Sequence, residues 1–128
     1  MGGRVVHFEM PYDDQDRARS FYSGVFGWAA QPMPGQEYLL VTTGPTPRDG
    51  PPTEPGFING GLVGRGEAVG NGPAVVIDVE DIDATLGEVE RLGGRRLQGK
   101  EPVGEMGFAA YFQDPEGNVV GLWETAAT

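Results

Sequence analysis

The sequence contains no cysteine and only one histidine among its 128 residues. Disulfides, thiolate nucleophiles and thiolate metal ligands are therefore excluded, and any metal site must be built from His, Asp or Glu. No apolar run approaches the roughly 20 residues that cross a bilayer, and the N-terminus lacks a basic segment followed by an apolar one. These absences predict a soluble, cytoplasmic protein that does not enter a membrane.

Basic residues are also scarce, since nine Lys and Arg stand against 19 Asp and Glu, for a net charge of −10. A surface of this sign repels phosphate backbones and anionic lipids, so neither nucleic acid nor a membrane is expected as a partner. The acidic residues are spread along the chain, which is typical of a solvated surface. The same charge would also favour a cationic ligand.

The first half of the chain predicts the order βαβββ. Residues 4–10 alternate as a strand does, with His7 and Glu9 on one face and apolar residues on the other. An amphipathic helix is predicted between a cap at Asp14 and a terminator at Gly27. Three further strands are predicted at residues 28–30, 38–43 and 57–63.

The second half repeats this order. A shift of 67 positions lays Asp14 on Asp81 and Gly27 on Gly94, so that helix cap and helix terminator coincide. The pattern predicts one α+β domain over residues 1–128, with mixed sheet and both helices on one side. Module one is expected at about 1–64 and module two at about 73–125. The strands of module two are predicted at residues 73–79, 95–98, 107–113 and 118–123.

The last two predicted strands are joined by a tight turn at residues 114–117, with the sequence DPEG. If the two residues that flank this turn face each other, then Phe108 and Phe112 share a face with Trp123. A slip of one residue would reverse that assignment. The predicted register therefore gives an aromatic wall on the face that carries Gly121.

Four stretches of the chain resemble the vicinal oxygen chelate superfamily, which includes glyoxalase I, bleomycin resistance proteins, extradiol dioxygenases and fosfomycin resistance enzymes. These stretches are VVHFEM, RSFYSGVFGW, INGGL and AAYFQDPEGNVVGLWE, and together they span nearly the whole chain. The resemblance implies two βαβββ modules that form a cup-shaped half barrel of mixed sheet with the helices outside. It also implies a homodimer, with a small-molecule ligand inside the cup.

The resemblance further implies where a metal would be held, because members that use metals place ligands on the first and last strand of each module. His7 matches the first of these positions. Ala74 and Gly121 occupy two others and offer no donor atom. The end of module one offers only Asn59, Gly60 or Gly61. No bound metal or other cofactor is therefore expected.

An alternative keeps a divalent metal ion. Glu9 shares the face of His7, and Asp78 shares the face of Ala74, so the three side chains His7, Glu9 and Asp78 could form a rearranged site. The protein would then be a metal-dependent lyase, isomerase or dioxygenase of the same superfamily. The sequence leaves open whether the protein is an enzyme.

The leading hypothesis is a small-molecule-binding protein of the glyoxalase and bleomycin-resistance type. Its cup would hold an apolar or aromatic ligand, which can also be cationic. His7 could act there as a general base, or as a hydrogen-bonding group only. The predicted ligand-binding residues are His7, Asn59, Phe108, Phe112 and Trp123.

Overall fold

The computed structural model describes residues 3–48, 50–66 and 72–127. Within these residues eight strands and two helices follow the predicted order, βαβββ twice. The elements are β1 Arg4–Tyr12, α1 Gln15–Phe26, β2 Ala29–Pro32, β3 Tyr38–Thr42, β4 Asn59–Gly64, β5 Ala74–Asp78, α2 Ile82–Arg91, β6 Arg95–Val103, β7 Gly107–Gln113 and β8 Val119–Thr125.

Both helices begin at the predicted aspartate caps. The side chains of Asp14 and Asp81 each accept a hydrogen bond of 3.0 Å from a backbone N–H in the first helical turn. Such a bond satisfies one of the N–H groups that the first turn leaves without a helical partner. Neither helix in the described part of the chain is long and apolar enough to cross a membrane.

The helix terminators follow the repeat less closely. Gly27 ends α1 with a left-handed φ of 73°, as predicted. The prediction that Gly94 ends α2 is wrong, because α2 ends earlier and Gly93 takes the left-handed conformation with a φ of 103°. Gly94 instead packs closely against its surroundings, where an added Cβ would lie 2.9 Å from the carbonyl oxygen of Gln113.

The strands form one sheet in the order β2-β3-β4-β1-β5-β8-β7-β6. The first strands of the two modules, β1 and β5, lie antiparallel at its centre. Each pairs in parallel with the last strand of its own module, β4 or β8. The sheet is mixed and open, which confirms the predicted α+β cup with helices outside.

Each helix covers one half of the sheet on the same face. The cluster under α1 consists of Tyr12, Leu39, Val41 and Leu62, and the cluster under α2 consists of Ile82, Leu86, Ala110 and Leu122. Burying each large side chain of this kind stabilises the fold by about 1.5–3 kcal/mol. Because side chains alternate along a strand, the neighbours of these residues point to the concave face.

The hairpin between β7 and β8 differs from the prediction by one residue. Gly117 has a φ of 87° and adds a bulge residue to the turn, as in hairpins that combine a type I turn with a left-handed glycine. Asp114 therefore donates its backbone N–H to the carbonyl of Asn118, at 2.9 Å. Gln113 then pairs with Val119 rather than with Asn118.

This shift exchanges the two faces of β7. Phe108 and Phe112 pack against the hydrophobic cluster under α2, so the predicted placement of both rings in the cup is wrong. Ala109 pairs with Trp123, and Tyr111 takes the place on the concave face that the prediction gave to its neighbours. The aromatic side chain added to the cup by β7 is therefore a tyrosine with a hydroxyl group.

Candidate functional site

The concave face of the sheet encloses a cavity of about 760 Å³. This volume lies within the range of small-molecule sites, roughly 300–1,000 Å³. Both modules contribute to the lining. Its apolar wall includes Met33, Leu40, Val63, Val103, Met106 and Trp123.

A carboxylate lies at the centre of this cavity lining. Glu9, on the central strand β1, is only 5 % exposed. Tyr38 donates its hydroxyl hydrogen to Glu9 Oε2 at 2.7 Å, and Tyr111 donates to Glu9 Oε1 at 2.5 Å. The two tyrosines come from β3 of module one and β7 of module two. A buried carboxylate is costly without partners, and here each oxygen has one.

His7 extends this cluster. Its Nε2 lies 2.7 Å from the hydroxyl oxygen of Tyr38. Since the single hydroxyl hydrogen of Tyr38 is donated to Glu9, His7 Nε2 must carry the hydrogen in the bond to Tyr38. The chain of donors runs from His7 through Tyr38 to Glu9. Nδ1 of a neutral His7 is then left as an acceptor.

The tyrosines are donors rather than bases. Burial, followed by the charge of Glu9 and the hydrogen bond to it, raises the pKa of both Tyr38 and Tyr111 above the usual value of a phenol. Both hydroxyl groups therefore stay protonated near neutral pH. Neither can take a proton from a ligand.

The pKa of His7 moves in the opposite direction. Burial lowers it below 6.5, and the nearby charge of Glu9 offsets part of this effect. We expect the imidazole NMR signals to titrate with a midpoint below 6.5, and the assignment is unambiguous because the chain has one histidine.

The lowered pKa of His7 also makes the stability of the fold depend on pH. The unfolded chain binds a proton at His7 more readily than the folded chain. The contribution of neutral His7 to the free energy of unfolding is therefore present above the unfolded pKa of 6.5, and it is lost as pH falls through the folded pKa. The His7→Gln variant should lack this dependence. A midpoint at or above 6.5 would contradict the assigned burial.

The residues present do not fit a metal ion of the kind that the resemblance implies. Ala74 and Gly121 bring no donor, and at Gly61 an added Cβ would overlap the hydroxyl group of Tyr38. Among the described residues, no group of three or more His, Asp or Glu could hold a metal. The rearranged site of His7, Glu9 and Asp78 is therefore not formed.

Two of the predicted ligand-binding residues, His7 and Trp123, line the cavity. Asn59 does not, although it begins β4 beside His7. Its amide oxygen accepts from the backbone N–H of Thr43 at 2.9 Å, and its amide nitrogen donates to the hydroxyl of Thr46, also at 2.9 Å. Asn59 thus fixes the segment after β3 instead of facing a ligand.

Sequence reasoning missed the tyrosine pair and the role of Glu9 as its acceptor. A signal for Tyr38 was present, because it begins a strand that pairs with the glycine-rich β4. Gly61 leaves the space that the Tyr38 hydroxyl occupies. Tyr111 required the register of the last hairpin, which the bulge at Gly117 changes.

Comparisons with known proteins agree with this architecture. A family model described as bleomycin resistance protein-like N-terminal matches residues 4–44. A glyoxylase-like domain-containing protein from Didymella fabae is 33% identical over 121 residues, which cover 91% of this chain and 89% of that protein. The chain belongs to the vicinal oxygen chelate superfamily.

Other members of the superfamily show how far the likeness extends. The candidate glyoxylase CFP32 of Mycobacterium tuberculosis is 29% identical over 123 residues, or 87% of this chain, and the chain spans only 41% of that protein's length. A solved glyoxalase/bleomycin resistance protein/dioxygenase superfamily member from Vibrio splendidus has a TM-score of 0.61 and 22% identity. The alignment covers 96% of this chain and 98% of that one, and it shows the shared fold.

Proposed function

We propose that this superfamily member binds a small molecule with an apolar or aromatic body in the cavity, without a metal ion held by the protein. The observation that carries the proposal is the buried Glu9 carboxylate, whose two oxygens are bound by Tyr38 and Tyr111. Each oxygen of this central carboxylate thus has a protein donor. The apolar wall around it provides the surface that a small ligand needs.

Trp123 and the methionines of the wall suit a flat or irregular apolar ligand. An indole ring offers a large contact area, and a thioether adapts its shape to different groups. Met33 and Met106 line the cavity from module one and module two respectively. A ligand held between them would therefore contact both modules.

Ligand binding should be blocked by filling the cavity. Ala109 lines it beside Trp123, so Ala109→Phe places a ring in the space of the ligand. We expect apolar aromatic compounds to raise the melting temperature of the wild-type protein in a thermal-shift screen, since a ligand at about 100 times its Kd stabilises the fold by ~2.7 kcal/mol. The shift should disappear in Ala109→Phe.

The matched control is Ala29→Phe, which adds the same ring to an exposed residue of the edge strand β2, outside the cavity. This variant should keep the shift. The proposal fails if no compound stabilises the wild type, or if Ala109→Phe and Ala29→Phe respond alike.

Metal content is a separate measurement. Protein prepared without chelator should contain far less than one divalent ion per chain, because His7 and Glu9 are both engaged with tyrosines and no three His, Asp or Glu of the described residues converge to hold a metal. Stoichiometric metal that is lost in His7→Ala would instead favour the metal-dependent enzyme. The homodimer and the cytoplasmic location stay predictions.

A further inference from the structure

The hydrogen bonds of the buried cluster all lead to the Glu9 carboxylate, either directly or through Tyr38. His7 donates to Tyr38, and Tyr38 and Tyr111 donate to the two oxygens of Glu9. The Nε2–H of His7 and the hydroxyl hydrogens of Tyr38 and Tyr111 are therefore already engaged before a ligand enters. A ligand group that only accepts hydrogen bonds would have to break one of these bonds.

Acceptor positions remain at the same place. A carboxylate can accept about four hydrogen bonds, and Glu9 receives two from the described residues. Tyr111 donates its hydrogen, and no described residue donates to its oxygen. Nδ1 of neutral His7 is a further acceptor. All three residues line the cavity.

The charged side chains of the cavity lining also favour a ligand that is positively charged. Besides Glu9, the charged side chains that line the cavity among the described residues are those of Glu37, Glu101 and Arg65. Arg65 is bound to the carboxylate of Asp13 at 2.8 Å, which offsets its positive charge. In the described part of the lining, carboxylates thus outnumber cations, and low-dielectric walls strengthen their effect on a ligand.

We propose that the cavity selects a ligand whose buried end is a protonated amine, which donates hydrogen bonds to Glu9 and Tyr111. This inference rests on the proposed function and names the chemical class of the ligand. The amine supplies several donors and a positive charge, which match the free acceptors and the carboxylate. A carboxylate or phosphate at the same place would meet like charge and no free hydroxyl hydrogen.

Three probes that share a naphthalene ring test this selection. They are the amine 2-(1-naphthyl)ethylamine, the alcohol 2-(1-naphthyl)ethanol and the carboxylate of 1-naphthaleneacetic acid. Their Kd values are measured by titration calorimetry at 0.15 M salt, where the Debye length is about 8 Å and distant charges are screened. We expect the amine to bind at least about tenfold more tightly than the alcohol, and the acid to bind most weakly.

Variants that remove one negative charge test whether Glu9 is the source of the tighter binding of the amine. Glu9→Gln should reduce the advantage of the amine over the alcohol by about tenfold, as expected for loss of a charge-assisted hydrogen bond. Glu80→Gln removes the same charge from an exposed residue outside the cavity and should leave the advantage unchanged. Circular dichroism of each variant confirms that it is folded.

The outcomes separate the inference from the proposed function. If the alcohol or the acid binds as tightly as the amine, the selection for an amine is wrong while small-molecule binding stands. An equal response of Glu9→Gln and Glu80→Gln would also overturn it, because general surface charge would then explain the preference. If none of the three probes binds, both proposals fail together.

Discussion

Replacing both Tyr38 and Tyr111 with phenylalanine is expected to lower the free energy of unfolding by about 3–5 kcal/mol, the cost of leaving a buried charge without partners. Glu9 is 5 % exposed, and both of its oxygens would lose their donors. The two rings would keep their apolar contacts. Urea unfolding of the wild type and the double variant measures the difference.

The cost should depend on the carboxylate itself. Adding Glu9→Met to the double variant removes the charge and leaves an unbranched apolar side chain, so most of the lost stability should return. Tyr22→Phe is the matched control, because its hydroxyl has only a 3.8 Å contact with the sulfur of Met10. That control should change stability by about 0.5 kcal/mol or less. A triple variant as unstable as the double variant would disprove the explanation.

The second large effect is expected for Gly61→Ala, at about 3 kcal/mol of lost stability. Gly61 is buried in β4, and an added Cβ would overlap the hydroxyl end of Tyr38. The ring can move only by losing its bonds to His7 and Glu9. Steric overlap and lost hydrogen bonds therefore add up at this one methyl group.

A double-mutant cycle tests that cause. In a Tyr38→Ala background the space is open, so Gly61→Ala should cost less than about 1 kcal/mol there. Gly99→Ala is the control, since nothing lies within 4 Å of a Cβ added at Gly99. If Gly61→Ala costs as much without the Tyr38 ring as with it, the clash is not the source of the effect.

Local patterns predicted the elements well because each one has its own signal. Asp14 and Asp81 mark the helix starts, and both act as caps in the structure. Strand alternation placed His7 and Glu9 on one face, and both line the cavity. These properties depend on residues close in sequence, which is where cap chemistry and strand periodicity act.

The site was harder to predict because it depends on register and on distant pairing. One bulge residue, Gly117, was enough to move Phe112 out of the cup and Tyr111 into it. The bond between Tyr111 and Glu9 joins residues 102 positions apart. No periodicity in either strand indicates that partner, since it follows from how the two modules meet.

The central place of β1 also affects how the chain acquires its fold during translation. β1 leaves the ribosome before the other strands of the sheet, yet its two neighbours in the sheet begin only at Asn59 and Ala74. Until they emerge, both edges of β1 are open to pairing with another nascent chain. A fragment that stops at Gly64 would keep one of these edges bare, and we would expect it to aggregate.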